Sequence, residues 1–353
     1  MAFTIDIEKN REITELSVLS AEGVYSEKPE FNDERLSALS EDFRESLPSV
    51  GLIKLNNVYL FGNGCLLTES RERIQSPFLP YTHLKSEEGI KQSSAAIRNL
   101  SPTQWRTRPL RITEVKETAA LLTQPGDRIF GHWLVDLIPM FSLIKKHYPN
   151  ALPIVKSSVL NGEAIPDILE AFEIIGLDKE KALGLTENLD AYFCRELIVP
   201  TSVRYGQQLH PIVNEVYGNI RSPVVTNKPN RKLYLSRRKW EKSGSHRVLI
   251  NAAEVEAHYE SLGFEIIHPE LLTFREKIAL FQNASEVVGE KGTALHLSLF
   301  TNSIKKMTVL LNPYERMTGL PLLQGEICKL QNCDVNYIMG EEVSFDSGYT
   351  IAV

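Results

Sequence analysis

What is scarce in this sequence narrows the field first. No apolar run reaches transmembrane length, so no segment is expected to cross a bilayer as a helix. The opening residues, MAFTIDIEKNREITELS, have neither the basic start nor the apolar core of a secretory signal. Cysteine is sparse: Cys65, Cys194, Cys328 and Cys333 are scattered along 353 residues. That spacing does not suit a zinc site, and reduced thiols in a cytoplasmic protein are expected. Positive charge is in deficit as well. The formal net charge is −6, which argues against a general nucleic-acid binder, so no nucleic-acid partner is expected.

Several catalytic signatures are also missing. There is no His-x-x-x-His pair and no Asp-x-Asp ligand set, so no metal site is expected. No Gly-x-Ser-x-Gly elbow is present. Gly62-Asn63-Gly64-Cys65 lacks the third glycine of a dinucleotide fingerprint, and no helical pattern follows it. This makes a nicotinamide oxidoreductase the weaker reading.

What is present is a soluble globular composition, 42% hydrophobic and 24% charged, long enough for two domains. The first fifty residues read as an extended arm plus a short helix in NDERLSALSEDFRESL. Residues 50–80 read as β-rich, with short antiparallel strands broken at Asn56-Asn57 and Gly62-Asn63-Gly64. Residues 115–200 alternate helix and strand, an α/β pattern. Within them, FGHWLVDLIPMF (130–141) places His132 and Asp136 one turn apart on one helical face. Pro139 is expected to kink that helix or shift its start. The pair is either a buried hydrogen bond or an acid/base couple.

The most legible region follows a proline-containing linker at 220–231. KLYLS (232–236), FEIIH (264–268), SEVVG (285–289) and KMTVLL (306–311) read as strands. Helices alternate with them. Asn251/Glu254 and Thr273/Glu276 read as capping boxes, and Gly263 as a helix stop. A β-α-β-α-β-α-β run implies a parallel sheet with right-handed crossovers. Ligands of such sheets bind beyond the carboxyl ends of the strands. There stand Arg237 and Arg238 after the first strand, Glu270 after the second, and Lys291, Gly292 and Thr293 after the third. Arginine forks, a lysine, a glycine and a helix start together suit a phosphorylated ligand, with Glu270 or Glu290 accepting from ribose hydroxyls. His296, on the apolar TALHLSLF segment, is expected to be a core histidine. Locally, 231–247 carries seven Lys and Arg against the single acid Glu241, a cationic patch on an acidic chain.

Three blocks resemble glycosyltransferase family 61: GHWLVDLIPMF; KLYLSRR with RVLINAAEV; and LGFEIIHPELLTFREKIALFQNASEVVGEKGTALHLSLF. The third is the most specific. The resemblance implies a GT-B architecture, two Rossmann-like domains facing across a cleft, here with a β-rich N-terminal segment. It places an acceptor-side domain at 1–225, a nucleotide-sugar domain at 226–330 and a tail at 331–353 that packs back on the domains. It further implies an inverting glycosyl transfer without a metal or cofactor. The donor is a nucleotide sugar, and the acceptor a glycan or lipid-linked hydroxyl in surface polysaccharide (capsule) synthesis.

Carried over by position, Ser236, Arg237, Arg247, Asn251 and Glu254 match the family's pattern. With Arg238, Glu270, Lys291, Gly292 and Thr293 they give the expected substrate-binding set. Asp136 is the first choice of base, with His132 orienting it or serving as base itself. This chain departs from the family with Lys291 where a histidine is usual, Leu297 where asparagine is frequent, and Gly131 where an aromatic often precedes the histidine. The other class of function considered is a non-catalytic glycan- or nucleotide-binding protein on the same scaffold. A cytoplasmic location is expected, with peripheral contact at the inner membrane face and homo-oligomerisation left open.

Overall fold

The computed structural model describes residues 13–20, 24–25, 46–62, 64–70, 74, 97–99, 105–107, 111–186, 190–221, 230–239, 248–313, 322–344 and 348–353. The helix expected near 32–47 lies almost wholly outside them, as do Arg247 and most of the linker. Described residues up to Val203 form one compact unit, and those from Arg204 to Val353 another.

The first unit is built on a seven-stranded mixed sheet. Its strands are β1 (Ile13–Ser20), β2 (Val50–Phe61), β3 (Cys65–Leu67), β4 (Arg111–Leu121), β5 (Leu152–Lys156), β6 (Leu183–Leu185) and β7 (Asp190–Pro200). The order is β1-β2-β7-β4-β5-β6, with β3 paired to β2. Strands β7, β4, β5 and β6 are mutually parallel, whereas β2 runs antiparallel to β1, β3 and β7. Asn56-Asn57 does not break the chain as expected. Strand β2 passes straight through: Asn57 takes a positive φ of 52°, and the pairing with β7 keeps one register on both sides of it. A short polar pair is tolerated because its neighbours Leu55 and Val58 are buried in the core on either side.

Between β4 and β5 lies helix α1, which has three parts. An α-turn at Phe130–His132 leads into a π-turn at Trp133–Leu137, and then an α-helix at Ile138–His147. The π-turn is closed by the Ile138 N–H donating to the Trp133 carbonyl. Pro139 accounts for its position. Proline has no N–H and its ring would strike the carbonyl four residues back, so the turn before it widens. Helix α2 (Ile168–Ile175) links β5 to β6 and stops at Gly176, whose φ of 68° is left-handed. Lys145 Nζ donates to the carbonyls of Ile175 and Gly176, 3.1 Å each, and so tethers α1 to that helix end.

The second unit carries a five-stranded, fully parallel sheet. Its strands are β8 (Arg231–Leu235), β9 (Glu265–Ile267), β10 (Ala284–Glu290), β11 (Lys306–Leu311) and β12 (Asp334–Met339), in the order β9-β8-β10-β11-β12. Helix α3 (Ile212–Ile220) precedes the sheet. Helices α4 (Ala252–Ser261), α5 (Phe274–Gln282) and α6 (Leu322–Leu330) make three of the crossovers. The fourth is a 3-10 helix at Thr293–Phe300, tighter than the α-helix expected there.

The units divide at Val203/Arg204, not at the prolines after Ile220, because α3 packs within the second unit. Its Tyr217 ring meets Phe300 edge-on at 4.9 Å, and Arg221 Nε donates to the Leu299 carbonyl at 2.9 Å. Residues 331–353 belong to the second unit as well. They supply the edge strand β12, and Tyr349 and Ile351 are buried in the second unit's core with Tyr234, Val255 and Tyr259.

The two capping expectations separate. Thr273 and Glu276 form the reciprocal box at the start of α5. Asn251 does not cap α4. Its side chain is engaged by the C-terminal segment, donating to the Ile351 carbonyl at 2.8 Å and accepting from the Ile351 N–H at 3.1 Å. A contact spanning 100 residues outcompetes the local one.

Candidate functional site

In the first unit the chemistry gathers where β4 and β5 end, at one edge of the parallel strands. After Leu121 the chain makes a turn over Thr123–Asp127 before entering α1. Asp127 organises that turn. Its Oδ2 accepts from Thr123 Oγ1 at 2.7 Å and from the Gln124 N–H at 3.3 Å. Its Oδ1 lies 2.6 Å from Nζ of Lys156, the last residue of β5, and both side chains are buried. Its carbonyl accepts from Trp133 Nε1 at 2.7 Å, tying the turn to α1. Burial pushes the Asp127 carboxyl above its usual range, and Lys156 pulls against that shift.

His132 and Asp136 do meet. His132 Nδ1 lies 3.0 Å from Asp136 Oδ2, and the same oxygen accepts from Gln124 Nε2 at 3.2 Å. Their exposures differ: the imidazole side chain is 33% accessible, the carboxylate 4%. The carboxylate therefore sits behind the ring. Gly126, at φ 87°, packs on the imidazole so closely that an added Cβ would stand 2.7 Å from Nε2. Nδ1 is engaged by the carboxylate, and the ring is the more accessible of the two side chains. Such an arrangement can take a proton from a hydroxyl.

In the second unit the sheet order fixes a switch point. The connection from β8 leads to β9 on one side, and that from β10 leads to β11 on the other, so the crevice of an open α/β sheet falls between β8 and β10. Ser236, Arg237 and Arg238 follow β8; Glu290 ends β10, and Lys291, Gly292 and Thr293 follow it. Arg237 Nη1 donates to the Lys291 carbonyl at 3.0 Å across this point. Gly292 lies beside the same guanidinium. Its φ of 174° is ordinary extended backbone, and an added Cβ would be 3.5 Å from Arg237 Nη1, ordinary contact. Among the described residues nothing requires glycine there.

The other expected residues are placed as follows. Ser236 Oγ donates to Glu256 Oε1 at 2.5 Å and accepts from the Arg238 N–H at 3.1 Å, while Arg238 Nη2 pairs with Glu256 Oε2 at 3.0 Å. Glu256, on α4, thus holds both, a role the sequence did not suggest. Glu270 sits on the single turn Pro269–Leu271 after β9; its Oε1 and the Nδ1 of His268 are buried without hydrogen-bond partners among the described residues. Glu290 accepts from the Tyr349 hydroxyl at 2.9 Å. Burial and Glu290 push that hydroxyl's pKa well up, against an opposing effect of Arg237. His296 Nδ1 lies 2.8 Å from Gln324 Oε1, a satisfied histidine as expected. Leu297 is buried in the core. Arg247 lies outside the described residues.

Sequence reasoning missed Gln124, Gly126, Asp127, Lys156, Glu256 and Tyr349 as parts of these constellations. Thr-Gln-Pro-Gly-Asp was legible as a turn, but nothing local says that it would fold onto His132 or meet a lysine 29 residues on. Among the described residues no group of three His, Cys, Asp or Glu side chains could hold a metal ion. Among the same residues no helix is long and apolar enough to cross a membrane. All four cysteines are buried free thiols.

No curated protein matches the chain. The sequence model of the family Glycosyltransferase 61 matches residues 130–310, which begins at α1 and ends in β11, and so takes in both His132–Asp136 and the β8/β10 switch point. That match covers just over half of the sequence, and the chain belongs to glycosyltransferase family 61.

Proposed function

We propose that this glycosyltransferase is an inverting enzyme of the GT-B kind. It moves a sugar from a nucleotide-sugar donor to a hydroxyl of a glycan or lipid-linked acceptor, without a metal. The observation that carries the donor half is the Arg237–Lys291 contact at the switch point, beside a glycine that none of the described residues requires. A guanidinium, an ammonium and open backbone at that edge suit the diphosphate of the donor. The unpartnered Glu270 Oε1 is an acceptor in want of a donor, as ribose hydroxyls would supply.

His132 is the base in this reading, and Asp136 holds it. The sequence expectation ranked Asp136 first, but a carboxylate 4% exposed behind an imidazole is poorly placed to reach an acceptor. In the reaction the acceptor hydroxyl gives its proton to His132 Nε2. Its oxygen bonds to the anomeric carbon as the bond from that carbon to the diphosphate oxygen breaks. The leaving charge is met by Arg237 and Lys291. The surface-polysaccharide product and the cytoplasmic setting belong to this proposal through the family resemblance alone.

The test is His132→Ala assayed for transfer and for nucleoside diphosphate binding. Transfer is expected to fall by about 10²–10⁴ with binding intact. Wild-type turnover in that variant would overturn the assignment.

A further inference from the structure

We infer that Cys328 and Cys333 are a dithiol that closes reversibly to a disulfide when a hydroperoxide reaches it, a redox-responsive staple between α6 and β12. The inference is independent of the glycosyl-transfer reading. The end of α6 puts the two residues together. After Leu330 the chain leaves the helix through Asn332, whose φ of 52° is left-handed. The Cys333 N–H donates to the Cys328 carbonyl at 2.9 Å, and the Asn332 N–H to the Lys329 carbonyl at 3.3 Å. These are the two bonds of a Schellman motif, which sets side chains five positions apart against each other. An apolar contact usually fills that place. Here both side chains are thiols, hydrogen-bonded to one another. Through the 2.9 Å bond their Cα atoms stand no more than about 7 Å apart, within the reach of a disulfide, so closure needs no change of fold.

The two sulfurs are unequal. The hydrogen bond from Cys328 holds the Cys333 thiol below the usual thiol range, aided by Lys305 and opposed by burial and Asp334. The same bond, together with burial, keeps the proton on Cys328. Cys333 is the nucleophile and Cys328 the resolving thiol. Cys333 is 7% exposed and Cys328 0%, which admits an oxidant as small as hydrogen peroxide and excludes bulky ones. The Cys333 sulfur attacks one peroxide oxygen. The O–O bond breaks, and the departing hydroxide takes the thiol proton as water. The Cys328 sulfur then attacks the sulfenic sulfur. The S–O bond breaks, and hydroxide leaves with the Cys328 proton as a second water. Two thiols lose two electrons and the peroxide gains them; a dithiol reductant reverses the change. Cys328 Sγ is held in place for this, 3.7 Å from Met307 Sδ on β11 and accepting from Gln324 Nε2 at 3.7 Å. Burial pushes the Cys194 thiol up to about 12, which removes it as a competitor.

The test treats the folded full chain with hydrogen peroxide, alkylates the remaining thiols in urea and digests with trypsin. Cleavage after Lys329 parts the two cysteines, so a disulfide holds peptides 317–329 and 330–353 together until it is reduced. That linked pair is expected to accumulate while Cys65 and Cys194 stay alkylated, and dithiothreitol is expected to release it. In Cys328→Ser, Cys333 is expected to stop at the sulfenic acid, which dimedone traps. In Cys333→Ser, Cys328 is expected to be oxidised about tenfold more slowly than Cys333. Near-UV circular dichroism checks the fold of each variant; should either unfold, the wild-type pairing decides alone. Both thiols still alkylated after peroxide treatment of the folded protein, or oxidation falling equally on Cys194, would overturn the inference.

Discussion

Arg237 and Lys291 are 54 positions apart, yet the guanidinium of one donates to the main-chain oxygen of the other at 3.0 Å. That bond spans the point where the parallel sheet of the second unit changes direction. It occupies one nitrogen of the fork and fixes the plane of the rest.

Replacing Arg237 by alanine is therefore expected to weaken nucleoside diphosphate binding by about 1.5–3 kcal/mol, roughly 10- to 150-fold. Calorimetric titration with uridine, guanosine, adenosine and cytidine diphosphates reads this directly. Lysine at the position should recover only part, since it lacks the fork. An unaltered dissociation constant would remove Arg237 from the phosphate site.

Gly292→Ala separates a ligand's needs from the protein's. The backbone angle suits any residue and the nearest atom is at contact distance. Stability should stay within about 0.5 kcal/mol of wild type. Diphosphate binding should nevertheless drop, because the methyl group occupies the space where a phosphate meets the backbone. Equal binding would show that the glycine has no such role.

Lys156→Met should be strongly destabilising, by about 3–5 kcal/mol, because it leaves the Asp127 carboxylate buried without its counter-ion. Adding Asp127→Asn should restore roughly half of that loss, since no uncompensated charge then remains. Urea unfolding of the two variants checks the sign. Additive losses in the double variant would contradict the ion-pair account.

Acid should destabilise the fold in part through two glutamates. The Arg231 hydrogen bond holds Glu265 below its usual range, and so do Lys54 and Thr118 for Glu196 against the opposing effect of burial. A depressed folded-state value gives stability that is present above the ordinary glutamate range and is lost as pH falls through the lowered values. Urea midpoints should thus decline below about pH 4. Arg231→Met should flatten part of that decline, though only a modest part, because the pair is half exposed. A decline of the same size in that variant would remove the pair from the acid response.

Which features could be read in advance follows the range of the interactions. Thr273 and Glu276 are three residues apart, and the capping box they promise is there. Asn251 and Glu254 promise the same, but Ile351 takes the asparagine. The His132–Asp136 contact was legible because both residues ride one helix, whereas their order of exposure was not. That order depends on Gln124 and Gly126 folding back from the preceding turn.

The sequence alone determined the local alternation of β8 through β11, the placement of cations after β8 and β10, and the imidazole–carboxylate spacing. Each depends on neighbours within a few residues, where propensity, capping and side-chain period act. Tertiary structure alone decided which strand lies beside which, hence the switch point between Arg237 and Lys291. It also decided the fifth strand β12, the union of Glu256 with Ser236 and Arg238, and the buried Asp127–Lys156 pair. Those arise from strand order and from partners 18 to more than 50 residues apart, and only the folded chain brings such partners within hydrogen-bonding distance.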